Sequence, residues 1–506
     1  MKNMLKTFLE LDNINEKTPN EINLILGTIY EYSRELNAIK DLERGIEISS
    51  TIILDNFTDD DKMTFYYNLS NAWSYKKMMI QNLNSPEFWE FENEELIQEI
   101  LNCRKALLYS IDTENIYRKC EILTNLGNDL SHLGRFSEAI DSWQRALNIK
   151  EDFSMATGNL GFGLFHYAQV LYDDSHKAYF LKESYNYLKK AIMLNDIYPE
   201  AKMSFSQIVS WIEEKVDNTF LNSENIFDNY SLGESLEEKN YRKWCINNSL
   251  FLNPLNDIIN DDIVAQDILC LPTIIVKKAD LEIYNYHSFF NQIKQEFCSA
   301  RYLFYDSITN QEPHFSDREN AIIDILDYST YSYNLEKSKI AFRTFYSILD
   351  KIAYLINTYL KLGFESREVN YRKIWYVKGK PNPIIMESQN WALRGLFWLY
   401  KDFFEKEDLH SFLEPEAKEL STIRNFIEHK SFKIVEFENS RTPKDNFTYV
   451  IDRNDFIDKT FKLMKTIRAA IIYTSLFINI EEGKKEYNSN ELGSMQLFTL
   501  DDQFKK

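Results

Sequence analysis

The dipeptide Leu126-Gly127 returns 34 residues later as Leu160-Gly161. A period of that length restricts the chain to architectures built by stacking one helical unit on the next. Around the first copy, Leu130, Gly134, Phe136, Ala139, Trp143, Ala146 and Leu147 alternate small and large residues as two closely crossing antiparallel helices require. The second unit carries an insertion around Tyr172 to Phe180 before Ser184, Leu188, Ala191 and Ile192 resume the pattern. Two looser units precede these, one with Leu26-Gly27, Tyr30, Ala38 and Gly45, the other with Leu69, Trp73, Ala106 and Leu107. Ala201 to Lys215 reads as a closing helix.

These offsets are those of a tetratricopeptide repeat, so residues 1–216 are expected to form a tetratricopeptide-like domain. Its small and aromatic residues are packing positions rather than ligand contacts, and its concave face is a surface for a peptide or another protein. The rest of the composition agrees with helices: glycine and proline number only 13 and 10, while 44% of residues are hydrophobic. An all-α fold follows. A formal charge of −20 argues against nonspecific coating of nucleic acid but leaves room for a local basic cleft.

The five cysteines, Cys103, Cys120, Cys245, Cys270 and Cys298, are odd in number and form no close C-x-x-C pair, so they are expected to be reduced core thiols rather than disulfides or metal ligands. Met1 to Lys6 lacks the apolar stretch of a signal peptide, and Ala469 to Ile480 is too short to cross a bilayer. The expectation is a cytoplasmic protein with no membrane association and no metal or other cofactor.

Residues 217–330 are a connecting region, expected to be mostly helical. Within it, Tyr241 to Asn256 mixes aromatics, cations and an Asn-Pro turn signal, and reads either as a strap packing one domain on the other or as a nucleotide-contacting loop. Phe297 to Tyr305 reads as a buried helix whose Arg301 must pair with an interior carboxylate.

Residues 331–485 carry four helical patterns, followed by a polar tail at 486–506. The first runs from Glu336 to Leu362 with an apolar stripe through Ala341, Phe345, Ile348, Ile352 and Leu355. The second follows Pro383, with Ala392, Leu396, Leu399 and Phe403 on one face and Trp391 and Trp398 nearby. The third starts at Pro415, with Glu416 and Glu419 at the positive end of its dipole. The fourth places Ile457, Phe461, Met464, Ile467, Ile471 and Ile478 on one stripe, and the four predict an antiparallel bundle.

On the third helix Leu420, Ile423, Phe426 and Ile427 share one arc, and Arg424, Asn425, Glu428 and His429 fill the other. An arginine can hold a phosphate and a histidine can move a proton near neutral pH. The same four residues also read as a polar surface without function. Arg424 and His429 stand about 140° apart on an ideal helix, which suggests that two copies facing each other would be needed to aim both groups at one atom.

The R-N-x-x-x-H string from Arg424 to His429, the four helices and the repeats before them resemble the HEPN superfamily, specifically a bacterial branch with tetratricopeptide-like repeats. The segments Tyr241–Asn256 and Phe297–Tyr305 are similar to stretches of that branch. The resemblance implies a dimeric, metal-independent endoribonuclease, of a kind found among toxins and antiphage defence effectors. It implies catalytic roles for Arg424, Asn425 and His429. His429 would be general acid or base in attack of a ribose 2′-hydroxyl on the adjacent phosphate, leaving 2′,3′-cyclic phosphate and 5′-hydroxyl ends. Arg424 would stabilise the phosphorane, and Asn425 would orient the histidine or the phosphate. Glu428 would set the arginine's position or stand as a solvated carboxylate.

RNA would need basic residues near such a site. Arg367, Arg372, Lys373, Lys378 and Lys380, interleaved with Tyr371, Trp375 and Tyr376, offer phosphate contacts and stacking surfaces, or else form an ordinary solvated loop. Lys430 and Lys433 are expected to extend the motif helix in the same sense. The substrate-binding candidates are therefore Arg372, Lys373, Lys378, Lys380 and Lys430. The competing expectation is a noncatalytic scaffold or sensor that binds a peptide, protein or RNA.

Overall fold

The structure is a computed structural model. It describes the chain except residues 12–13, 82–89, 226, 228–229, 276–282, 311, 325–326, 405–414, 437–446, 487–497 and 506. Most of the polar tail and the side chain of Glu416 therefore lie outside the described residues.

The N-terminal part is a succession of helices: α1 (Lys2–Leu9), α2 (Pro19–Glu35), α3 (Ile39–Ser50), α4 (Asp59–Ile80), α5 (Glu94–Leu108), α6 (Ile116–His132), α7 (Phe136–Ile149), α8 (Ser154–Val170), α9 (Asp174–Met193) and α10 (Pro199–Lys215). Each of α2/α3, α4/α5, α6/α7 and α8/α9 packs as a pair. The repeated glycines lie where the helices of a pair touch. A Cβ on Gly127 would lie 2.5 Å from Trp143 Nε1, and one on Gly161 would lie 2.8 Å from Leu188 Cγ. The insertion at 172–180 forms no separate loop, because Asp174 to Phe180 are the first two turns of a twenty-residue α9.

The connection contains α11 (Asn218–Asn222), α12 (Leu236–Asn247) and the long α13 (Ile283–Thr309). Two buried arginines hold the strap between them. Arg301 pairs with Asp267 through Nη1 and Nη2 at 2.9 and 2.6 Å, and donates to the Leu250 carbonyl at 2.8 Å. Arg468 pairs with Asp257 at 2.5 Å and donates to the carbonyls of Phe251 and Asn253 at 2.6 and 3.0 Å. With Leu250, Phe251, Leu252, Asn253 and Asn256 all buried, this stretch packs as a strap, while Lys243 and Asn247 on its helical part stay exposed.

The bundle comprises α14 (Tyr333–Tyr359), the hairpin β1 (Tyr376–Val377) and β2 (Lys380–Pro381), α15 (Pro383–Met386), α16 (Trp391–Phe404), α17 (Pro415–His429), β3 (Ser431–Val435), β4 (Thr448–Asp452) and α18 (Arg453–Gly483). The α13 helix packs along α14 and also touches α18. Buried Asn390 caps α16 by accepting from Leu393 N at 3.0 Å and donates to the Phe477 carbonyl at 2.9 Å, joining α16 to α18. The fold is all-α with small sheet additions. Between α17 and α18, β3 pairs in parallel with β4, Ser431 opposite Thr448 through Val435 opposite Asp452.

Repeats and bundle share one continuous core that runs from Met63 to Ile478. Gly134 shows how closely the halves meet. Its φ of +83° suits only glycine at low cost, and a Cβ there would lie 2.1 Å from the Trp391 carbonyl oxygen. Trp391 Nε1 donates to the carbonyls of Ser131 and His132 at 3.0 Å, and Trp398 Nε1 to the Phe91 carbonyl at 2.8 Å. Buried Asp402 accepts from Arg104 and Arg135 at 2.8 and 2.5 Å.

Among the described residues one helix, α18, is long and apolar enough to span a membrane, and 78% of its most apolar window is buried in this core. All five cysteines are free, but only Cys103, Cys120 and Cys245 are core residues. Cys298 is half-buried, and Cys270 is exposed where the strap continues over the surface.

Candidate active site

Helix α17 turns its apolar arc inward. Leu420 and Ile423 are buried, Phe426 and Ile427 are half-buried, and Asn425, Glu428 and His429 are exposed. Arg424 sits at the edge of the two arcs with one-third of its side chain exposed. It lies against α14, where its guanidinium carbon stands 5.7 Å from the centre of the Tyr346 ring, a cation–π distance.

Arg424 Nη2 lies 3.0 Å from Glu428 Oε2, one turn further along, and Nη1 makes a long 3.4 Å contact to Asn425 Oδ1. His429 is the last residue of α17, and its Nε2 lies 3.5 Å from the same Glu428 Oε2. The expectation that one helix separates Arg424 and His429 too widely is thus corrected: both reach one oxygen within a single chain. The 140° separation describes Cα positions, and two long side chains leaning toward the residue between them close it.

Two α14 residues that sequence reasoning missed complete the floor. Burial pushes the Tyr346 hydroxyl up to about 12, against the opposing effects of a Ser421 hydrogen bond and the charges of Arg424 and Arg372. Burial also raises the Asp350 carboxyl, despite its hydrogen bond from Tyr371 N at 2.9 Å and the nearby Arg424 charge. Their available signal was the four-residue spacing, which sets two polar groups one above the other beside the apolar stripe of α14.

The basic candidates divide. Arg372 is exposed, and its charge is one of those that oppose the rise of the Tyr346 hydroxyl. Lys373 is exposed on the same loop. Lys378 and Lys380 are exposed on the β1–β2 hairpin, whose turn at Lys378 and Gly379 has φ values of 52° and 76°. Arg367 is exposed and pairs with Glu365 at 2.9 Å. The interleaved aromatics are no stacking platform. Tyr371 and Trp375 are fully buried, and Tyr376 is half-buried with its hydroxyl on Glu92 at 3.1 Å.

Nor do Lys430 and Lys433 extend the motif helix, which stops at His429. Lys430 follows the helix end, exposed, with its ammonium 4.6 Å from the centre of the Phe426 ring. Lys433 is on β3 and pairs with Asp327 at 2.5 Å. No group of metal-ligating side chains occurs among the described residues.

Residues 278–481, from just before α13 nearly to the end of α18, match the family model described as LA2681-like HEPN. No curated protein and no solved structure matches the chain. By that match, which covers α13, α14 and the helix bearing Arg424 and His429, residues 278–481 form a HEPN-superfamily domain.

Proposed function

We propose that this protein is an endoribonuclease of the HEPN type, requiring no metal and cutting RNA by attack of a 2′-hydroxyl on the adjacent phosphate. HEPN membership is consistent with an RNA- or nucleotide-directed activity. The observation that carries the nuclease reading is the convergence of Arg424 and His429 on Glu428 Oε2, at 3.0 and 3.5 Å. A position that holds a carboxylate oxygen between a guanidinium and an imidazole also suits a phosphate oxygen.

In this reading substrate displaces Glu428. His429, at the exposed helix end, moves the proton of the 2′-hydroxyl or of the leaving oxygen. Arg424 neutralises the charge that builds on the phosphorane. Asn425 helps orient the phosphate. Arg372, Lys373, Lys378, Lys380 and Lys430 guide the strand. We further propose a homodimer through the bundle, regulation by a protein or peptide bound to the tetratricopeptide-like repeats, and a role as a cytoplasmic toxin or antiphage effector.

The test is incubation of purified protein with total RNA in chelator. Cleavage should leave cyclic phosphate ends and fall by roughly 100- to 1,000-fold in Arg424→Ala, the usual effect of losing one transition-state donor. His429→Ala should be at background. Expression in a bacterium should be toxic, and His429→Ala should relieve it. Undiminished cleavage in both variants removes the site assignment. RNA binding without cleavage, unchanged by either variant, favours the noncatalytic scaffold.

A further inference from the structure

A cleft of about 800 Å³ opens between the repeats and the bundle, walled by α5, α6 and α7 on one side and by α16, α17 and α18 on the other. Eight basic side chains line it against four acidic ones, a local surplus of positive charge in a chain whose formal charge is −20. The four acids already have engagements in the fold. Asp402 holds Arg104 and Arg135, Glu138 holds Arg135, Asp257 holds Arg468, and Asp141 lies 3.2 Å from Lys465. The other basic residues facing the cleft are Lys105, Lys119, Arg145 and Lys462.

Burial lowers the Lys105 ammonium below the usual lysine range, so an anion at this spot would gain from a partly desolvated cation. The remaining lining is largely apolar, with Leu126, Leu130 and Ile140 from the repeats and half-buried Phe461 from α18. A volume near 800 Å³ is that of a small-molecule site rather than a groove for a folded partner.

We propose that this cleft binds a nucleoside phosphate, with the phosphates on the cations of α5, α7 and α18 and the base on the apolar wall beside Phe461. A flat apolar base and a compact polyanion together match what the walls present, whereas an acidic peptide would leave the apolar wall uncovered. The ligand comes either as a free nucleotide or as the phosphorylated end of an RNA strand. Leu420 of α17 also lines the cleft, one turn before Arg424, so an occupant touches the helix that carries the candidate active site.

Binding here does not depend on the nuclease reading and can fail without it. Calorimetric titration of the full chain carrying His429→Ala, which keeps RNA probes whole, would use AMP, ATP, inorganic phosphate, poly-glutamate and a 5′-phosphorylated oligoribonucleotide. The nucleotide or the oligonucleotide should bind at least about tenfold more tightly than inorganic phosphate, and the tighter of the two identifies the source. Combined Lys105→Glu, Arg145→Glu and Lys462→Glu should weaken binding by about a hundredfold. If that variant melts early, exposed Arg145→Glu alone should still cost about tenfold. Phe461→Ala should remove the preference over inorganic phosphate. Absence of nucleotide and oligonucleotide binding at millimolar concentration overturns the proposal, as do unchanged affinity in the charge-reversed chains and tighter binding of poly-glutamate.

Discussion

Arg424 and His429, five residues apart on α17, converge on a single atom: Glu428 Oε2 lies 3.0 Å from the guanidinium and 3.5 Å from the imidazole. In the proposed nuclease that carboxylate holds the place of a substrate phosphate. An ion pair between partly exposed i,i+4 residues is worth only about 0.3–0.5 kcal/mol, so a phosphate would displace it easily. Glu428→Gln should therefore raise kcat/KM for RNA by about two- to threefold and leave Tm almost unchanged. A tenfold loss would instead make Glu428 a residue that positions Arg424.

The same convergence bears on the dimer. Because one chain brings both groups to one atom, a site need not borrow a residue across an interface. Mixing Arg424→Ala chains with His429→Ala chains should leave cleavage no higher than the weak residual level of Arg424→Ala alone. If each site took its arginine and histidine from different chains, random exchange would restore about a quarter of wild-type activity, since half the dimers would carry one intact site. Recovery of that size would place the site across two protomers.

The helical architecture was legible because small residues recur wherever two helices touch: Gly127 on Trp143 and Gly161 on Leu188 could not be larger. Arg301 was legible for a different reason, since a cation inside an apolar helix demands an acid, here Asp267. Local pattern could not show which acid, nor that Tyr346 and Asp350 of α14 lie beneath Arg424, because those are tertiary neighbours. It also misled where polar and aromatic residues alternate. Tyr371 and Trp375 read as a stacking surface between cations, yet burying such large apolar rings is worth more than displaying them, and the cations stay in solvent. The strand β3 was hidden by its position directly after the motif helix, where Lys430 and Lys433 continue the look of a basic helix end.

Asp402 is a buried carboxylate on which the join between repeats and bundle depends. Burial alone would raise its carboxyl, but Arg104 and Arg135 outweigh that and hold it below the usual aspartate range. Asp402→Ala takes the shared carboxylate from Arg104 and Arg135, leaving Arg135 with Glu138, and should cost about 3–5 kcal/mol of unfolding free energy by denaturant titration. Since Asp402 ties α16 to the repeats, loss should be seen for both halves in one transition. Separate transitions, or a cost under about 1 kcal/mol, would show that the halves do not rely on this contact.

Stability should also fall on mild acidification, through histidines of the repeat array. Burial, followed by the charges of Arg394 and Lys77, holds His132 well below the usual imidazole range, and burial lowers His166 and His176. For a group whose native pKa is depressed, the unfolded chain takes up the proton first. Stability is then lost as pH drops below the unfolded value of about 6.5 toward the native one, by up to roughly 1.4 kcal/mol per pH unit for each histidine. Asp129, one turn before His132 on α6, works the other way, because burial and Glu99 raise its carboxyl and its native form keeps a proton the unfolded chain has lost. The difference between wild type and His132→Gln removes that common contribution. Between pH 7 and 5 the variant should lose less unfolding free energy than the wild type. Parallel curves would mean that His132 becomes protonated in the native state without cost.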